Sequence, residues 1–328
     1  MNIAIRVNAS NREGAGHFNR TLVLAKHLKK NNSNIYFLSN NLHKNYINLL
    51  NKNNFRYIFI KGASSGNYEL NDINFTIKAL KKINKVIDLI ILDSYVLGFK
   101  WEKKLTHFTK KLMVIDDIDR KHFCDLYVSP FIKPKKNNIL KKNCKVLVGL
   151  KYLIIKPTKV KKITKKNNKV LIYMGDADNK NLTIKLLRVL RKKIFDDFSF
   201  KILIGNTNIN KFKILNNANK NKNVSCSHFQ NSLSEILSKI DLTITSGGST
   251  IFELIANKIP TLIICQNFNQ YKLIKNNKIC NPENILGYNK HSTKYLVNFL
   301  KKKLLESKIK LNKNKFDFLG SKRISKYI

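Results

Sequence analysis

Histidine, carboxylates and small hydroxyl residues stand beside glycine at a few places in this sequence, and each pattern points to a particular chemistry. In V-N-A-S-N-R-E-G-A-G-H-F-N-R, residues 7–20, an apolar run turns into an amphipathic stretch. Gly14 and Gly16 permit a tight turn and close backbone approach there, and amides at a helix start favour a phosphate or a developing anion. His17 falls in the first turn of that helix, where an imidazole can serve as a general base. In T-S-G-G-S-T-I-F-E-L, residues 245–254, Ser246, Gly247, Gly248, Ser249 and Thr250 supply amides and hydroxyls together, the set that a nucleotide diphosphate needs. Glu253, one turn further, is placed to accept hydrogen bonds from ribose hydroxyls. No G-K-[ST] follows, which separates this segment from the P-loop and from ATP hydrolysis.

Three further segments end apolar runs. L-D-S-Y brings Asp93 and Tyr95, and I-D-D-I-D brings Asp116, Asp117 and Asp119. The acid cluster lacks a histidine companion and reads as a capping and turn device, so no metal site is expected. M-G-D-A-D-N-K-N-L-T, residues 174–183, puts Gly175 at a turn and Asp178 at the start of a helix.

The elements that must hold these residues alternate along the whole chain. Short apolar runs predict strands at Ile3–Val7, Ile35–Leu38, Tyr57–Ile60, Val86–Leu92, Leu112–Ile115 and Asp125–Val128, with helices over 16–30, 71–83 and 99–110. A second series follows: strands at Lys169–Met174, Phe200–Ile204, Val224–His228, Leu242–Thr245 and Thr261–Ile264, with helices over 180–193, 231–239, 249–257 and 292–305. This is the pattern of parallel sheets with crossover helices. Pro157 and a run of lysines mark a linker over 157–168, giving an N-terminal domain over 1–156 and a C-terminal domain over 169–328. The expected fold is α/β, two doubly wound Rossmann-like domains with a central cleft. The chemical residues then fall just beyond strand ends, where open α/β sheets bind ligands. The stretch 307–328 is too polar to assign beyond a helix that packs or crosses back.

Composition narrows the function. The chain has 328 residues and a formal net charge of +43, which first suggests nucleic acid. Its basic residues are almost all Lys, with Arg only at positions 6, 12, 20, 56, 120, 188, 191 and 323. Lys, Asn and Ile are all abundant, as A+T-rich codons dictate, and no aromatic platform or nucleic-acid motif accompanies the lysine runs. Nucleic acid is therefore not the expected ligand. The five Cys (124, 144, 226, 265, 280) form no C-x-x-C pair and read as free thiols of a reducing compartment. No apolar run reaches the ~18 residues of a membrane span and no signal peptide is evident, so a cytoplasmic protein is expected.

Together these segments resemble a known family. G-A-G-H-F-N-R-T-L-V-L-A-K-H-L, L-D-S-Y, V-I-D-D-I-D-R-K-H-F-C-D, V-G-L-K-Y-L-I-I-K, M-G-D-A-D-N-K-N-L-T and I-T-S-G-G-S-T-I-F-E-L occur in the order and spacing of the UDP-2,4-diacetamido-2,4,6-trideoxy-beta-L-altropyranose hydrolases of pseudaminic acid biosynthesis. The resemblance covers residues 2–275. It implies a GT-B-like fold, similar to that of the glycosyltransferase that completes lipid II. It also implies release of UDP without metal or cofactor, by cleavage between C1 and the phosphate oxygen with inversion. The family's catalytic His falls on His17, its strand-end Tyr on Tyr95 and its active-site Asn on Asn269. Its UDP-binding loop falls on Ser246–Thr250, with Glu253 at the ribose. The chain departs from the family at Asn8, commonly Asp, and at Asp176, where a Gly usually stands.

Two other functions fit the same motifs. A transferase would pass the sugar to an acceptor hydroxyl, and a base near the first helix would serve it equally. A non-catalytic UDP-sugar binding protein would need the loops but not His17.

Overall fold

A computed structural model of the chain describes residues 1–9, 16–30, 32–61, 68–158, 160, 168–229, 233–305 and 317–328. Two compact units emerge, one of Met1–Lys156 with Phe316–Ile328 and one of Pro157–Lys315. The expected linker lies largely outside the described residues, at 159 and 161–167.

The first unit runs β1 (Asn2–Val7), α1 (Gly16–Lys29), β2 (Asn34–Ser39), α2 (Lys44–Lys52), β3 (Arg56–Phe59), α3 (Tyr68–Ile83), β4 (Leu89–Asp93), α4 (Phe99–Leu105), β5 (Lys111–Ile115), β6 (Leu126–Ser129) and β7 (Lys145–Val148). Its seven strands are parallel, in the order β3-β2-β1-β4-β5-β6-β7. Both faces of the sheet are covered. Ile3, Ile5 and Val7 pack on the side of Phe18, Leu24 and Phe37, and Ala4 packs on the side of Leu80, Leu97 and Trp101. The strand's alternation thus feeds two cores at once, as a doubly covered parallel sheet requires.

The second unit runs β8 (Lys169–Tyr173), α5 (Leu182–Val189), β9 (Ser199–Ile204), α6 (Lys211–Ala218), β10 (Val224–His228), α7 (Ser234–Leu237), β11 (Leu242–Thr245), α8 (Thr250–Ala256), β12 (Thr261–Ile264), α9 (Phe268–Asn276), β13 (Ile285–Leu286) and α10 (Thr293–Leu304). Its six parallel strands are ordered β10-β9-β8-β11-β12-β13. Strand order reverses beside β1 in the first sheet and beside β8 in the second. At such switch points neighbouring crossovers leave on opposite faces, and their loops part to leave room for a ligand.

Several elements differ from those expected. The expectations passed over α2, although Tyr46, Ile47, Leu49 and Leu50 stand at helical spacing, and β7, an edge strand whose Lys145 and Val146 are exposed. Of the helix expected over 231–239, residues 231 and 232 lie outside the described residues, and the helix that is described, Ser234–Leu237, ends before 239. The assignment of 169–328 to one domain is corrected at its end. There α11 (Gly320–Ser325) belongs to the first unit, with Ile324 in the core beside α1. A Cβ at Gly320 would lie 2.0 Å from the Leu153 carbonyl oxygen, and Arg323 donates to the Lys151 carbonyl at 2.9 Å. A single apolar anchor and one glycine contact are too little signal to place a short polar helix from sequence.

The first core also encloses a charge. Arg6, fully buried in β1, pairs with Asp72 of α3 at 2.5 Å, and Asp72 also accepts from Trp101 Nε1 at 2.9 Å and Thr76 Oγ1 at 3.1 Å. Removing one partner of a buried pair leaves the other charge uncompensated, which costs about 3–5 kcal/mol. Asp72→Ala is expected to lose stability on that scale in urea unfolding, with Arg6, Trp101 and Thr76 all losing their shared acceptor.

Candidate functional site

The first switch point gathers ionisable groups. β1 and β4 are adjacent, with Val7 opposite Asp93, so the turn into α1 and the end of β4 open at the same place. His17 is the second residue of α1, and its Nδ1 lies 2.5 Å from Asp93 Oδ1. Arg20, one helical turn on, donates to the same carboxylate through Nε at 2.6 Å and Nη2 at 2.7 Å, and through Nη1 to Asp117 Oδ2 at 2.5 Å. Tyr95 closes the group: its ring meets the His17 ring edge-on, centroids 4.3 Å apart, and its hydroxyl donates to Asp117 Oδ2 at 3.4 Å.

The electrostatics follow from burial. Desolvation pushes Asp93 up, but the charges and hydrogen bonds of Arg20 and His17 outweigh it and hold the carboxyl below its ordinary value. Burial works against the Arg20 charge as well, yet Asp117 and Asp93 raise its guanidinium well above the ordinary value. Tyr95 is driven upward by burial and then by Asp117, so its phenol stays protonated. An ionised carboxylate can only accept, so in a neutral ring this contact favours the tautomer with its proton on Nδ1 and the lone pair on Nε2.

The structure brings together His17, Asp93, Tyr95 and Asp117 among the residues singled out from sequence, and adds Arg20. Gly14 lies outside the described residues. Among the described residues a Cβ at Gly16 would meet nothing within 4 Å, so none of them requires glycine there. Asn8 Oδ1 accepts from Arg6 at 2.6 Å and Ser39 Oγ at 3.0 Å, and Nδ2 donates to Tyr68 Oη at 3.4 Å, a donor role that an aspartate could not fill. The acid cluster divides: Asp117 serves Arg20, Asp119 accepts from Asn138 at 2.6 Å, and Asp116 accepts from Arg120 at 2.6 Å. Asp116 has a histidine near it after all, since His122 Nε2 stands 3.4 Å from its Oδ2. Among the described residues no group of three or more His, Cys, Asp or Glu side chains is arranged to hold a metal ion.

The second switch point is built from small residues. Gly175 follows β8 with φ of 91°, a left-handed conformation open mainly to glycine, and Ser246 Oγ lies 3.4 Å from where its Cβ would be. Asp176 turns toward the loop after β9, accepting from the Asn206 amide at 2.8 Å and Thr207 Oγ1 at 3.1 Å. Asp178 caps α5 through the amides of Leu182 and Thr183, each at 2.9 Å. Gly247 and Gly248 differ in what requires them. A Cβ at Gly247 would lie 2.7 Å from Ile274 Cδ1, and its amide donates to Gln270 Oε1 at 3.2 Å, so this glycine serves the packing of α9. Gly248 has no positive φ, and a Cβ there would meet only Ser246 Oγ at 3.6 Å. The amides of Gly248, Ser249 and Thr250 have no acceptor among the described residues. Glu253 is half-buried in α8, and Asn269 is exposed in the first turn of α9, in the second unit. Sequence reasoning missed Gln270, whose Oε1 also accepts from the Gln266 amide at 2.8 Å; the spacing of Gln266 and Gln270 by one helical turn was the available signal.

Known proteins resemble the chain in both parts. An uncharacterized protein of Methanocaldococcus jannaschii is 30% identical over 81% of this chain, which spans 56% of that protein's length. The UDP-2,4-diacetamido-2,4,6-trideoxy-beta-L-altropyranose hydrolase of Campylobacter jejuni is 26% identical over 82% of this chain and 93% of its own. The crystal structure of UDP-GlcNAc 2-epimerase from Neisseria meningitidis, bound to UDP-GlcNAc, matches with a TM-score of 0.60 at 13% identity, covering 100% of this chain and 99% of that one. At that identity the match shows the fold alone. Residues 148–315, about half of the chain, match the glycosyltransferase family 28 C-terminal domain, and the chain belongs to that family.

Proposed function

We propose that the protein is a metal-independent nucleotide-sugar hydrolase of the cytoplasm. It releases UDP from UDP-2,4-diacetamido-2,4,6-trideoxy-beta-L-altropyranose, a step of pseudaminic acid biosynthesis. The likeness to the Campylobacter jejuni enzyme over most of both chains supports the substrate class. The observation that carries the reaction is the His17 ring, with Nδ1 2.5 Å from the Asp93 carboxylate. The bare Nε2 takes a proton from water as the water oxygen bonds to the anomeric carbon. The bond from that carbon to the phosphate oxygen breaks, and UDP leaves with the electron pair. Tyr95 and Asn269 are proposed as catalytic residues along with His17. The loop Ser246–Thr250 holds the diphosphate with Gly175 beside it, and Glu253 holds the ribose. Gly248 supports this placement, because among the described residues no close contact requires its missing Cβ. Among the described residues no helix is long and apolar enough to cross a membrane.

The family 28 match favours one other reading, transfer of the sugar to an acceptor hydroxyl. UDP release measured in excess EDTA, with and without a sugar or lipid acceptor, separates the two. Hydrolysis predicts equal release in both arms.

General-base assistance contributes ~100- to 10,000-fold, mostly in the transition state. His17→Leu is therefore expected to lower kcat at least a hundredfold while UDP affinity by calorimetry stays within a few fold; a folded variant with the wild-type rate removes His17 from the reaction. Gly248→Val is expected to weaken UDP binding at least about tenfold, or ~1.4 kcal/mol. Unchanged affinity would place the diphosphate elsewhere.

Asp93 gives a pH signature. Its folded pKa is below the unfolded value near ~4, so its stabilisation is complete above that value and is lost as pH falls through the lower folded one. Asp93→Asn should be less stable by about 1.5–3 kcal/mol at neutral pH, the range for hydrogen bonds to charged groups. Denaturant titrations along a pH series should show that gap closing in acid.

A further inference from the structure

Next to the His17 cluster lies a second set of buried ionisable side chains that the proposed reaction does not use. Glu102 of α4 and His122 are fully buried, and His122 Nδ1 is 2.8 Å from Glu102 Oε1. Glu102 Oε2 accepts from the Phe123 amide at 2.5 Å, so this carboxylate is fixed at both oxygens. On the other side of the ring, His122 Nε2 faces Asp116 Oδ2 at 3.4 Å. That oxygen accepts from Arg120 Nε at 2.6 Å, while Oδ1 accepts from the Ile118 amide at 2.9 Å. Arg120 in turn grips the chain just after β4. Its Nη2 donates to the Ser94 carbonyl at 2.6 Å and its Nη1 to the Tyr95 carbonyl at 2.9 Å.

The geometry suits a clamp. One planar fork fixes two consecutive carbonyls, which a lysine ammonium, a single point of charge, cannot reproduce. The clamped turn begins at Asp93 and carries Tyr95, so it sets where the Tyr95 ring lies against His17 and where its hydroxyl reaches Asp117.

We infer that Arg120 is the positioning residue of the His17 site, holding the Ser94–Tyr95 turn so that the Tyr95 ring stands against His17, with Asp116 aiming its guanidinium. Its part in catalysis rests on His17 being the base, whereas its hold on Tyr95 does not.

Arg120→Lys keeps the charge and removes the fork. A displacement of about 1 Å at a reacting group costs ~100-fold, so kcat for UDP-sugar hydrolysis is expected to fall about ten- to a hundredfold, with KM and UDP affinity little changed. Residues that act as one unit are not additive, so the same substitution should lower the rate no further in a His17→Leu background. A merely structural role would lower it equally in both. The position of Tyr95 is read without turnover by NMR of the His17 ring protons, which feel the Tyr95 ring current. They should shift in Arg120→Lys and not in a control at exposed Lys121, Lys121→Gln. Unmoved His17 signals overturn the inference, and moved signals with a wild-type kcat overturn its part in the reaction. Should His17→Leu itself hydrolyse at the wild-type rate, the catalytic reading fails while the spectra still decide whether Arg120 holds Tyr95. Arg120→Gln, which can reach only one carbonyl, repeats the test if the lysine variant does not fold.

Discussion

Asp93 carries a charge at the end of a strand whose other residues are all apolar and buried, and such a group persists only with fixed partners. Arg20 supplies two hydrogen bonds and His17 a third. These contacts hold the carboxyl ionised, favour the proton of a neutral imidazole on Nδ1 and fix the first turns of α1 against β4. Arg20 also draws in Asp117, and Asp117 draws in the Tyr95 hydroxyl. The candidate site of the first unit is thus the solvation shell of one buried carboxylate.

The two units use the same topological device for different chemistry. In each, strand order reverses beside the unit's first strand, and loops part at the carboxyl ends. The first fills that position with ionisable side chains on rigid elements. The second fills it with Gly175, Ser246, Gly248 and Ser249, small residues, and the amides of Gly248 and Ser249 have no acceptor among the described residues. Protonatable groups suit a reacting atom, and fixed dipoles suit a phosphate whose charge does not change on binding.

The charge balance has a similar division. The net charge of +43 rests on lysines, while arginine occurs only eight times. Three of those arginines serve buried carboxylates: Arg6 with Asp72, Arg20 with Asp93 and Arg120 with Asp116. A guanidinium tolerates partial burial and offers several donors in one plane, whereas an ammonium is strongly hydrated and favours the surface. At these three positions a lysine would not serve.

The sequence by itself determined the local features. Apolar runs of four to six residues set most strands, and the amphipathic stretch after Gly16 set α1. The sites of His17, Asp93 and Tyr95 and of the 246–250 loop followed from lying just past strand ends. It did not reveal Arg20 as the partner of Asp93, 73 residues away, or Gln270 as the acceptor for Gly247, 23 residues away. It also left Asp116 without its histidine and α11 in the wrong unit. Those contacts were decided only by the tertiary structure. Periodicity and turn chemistry act over a few residues, whereas the pairing of buried charges depends on which strands become neighbours, and that is fixed only when the whole sheet has formed.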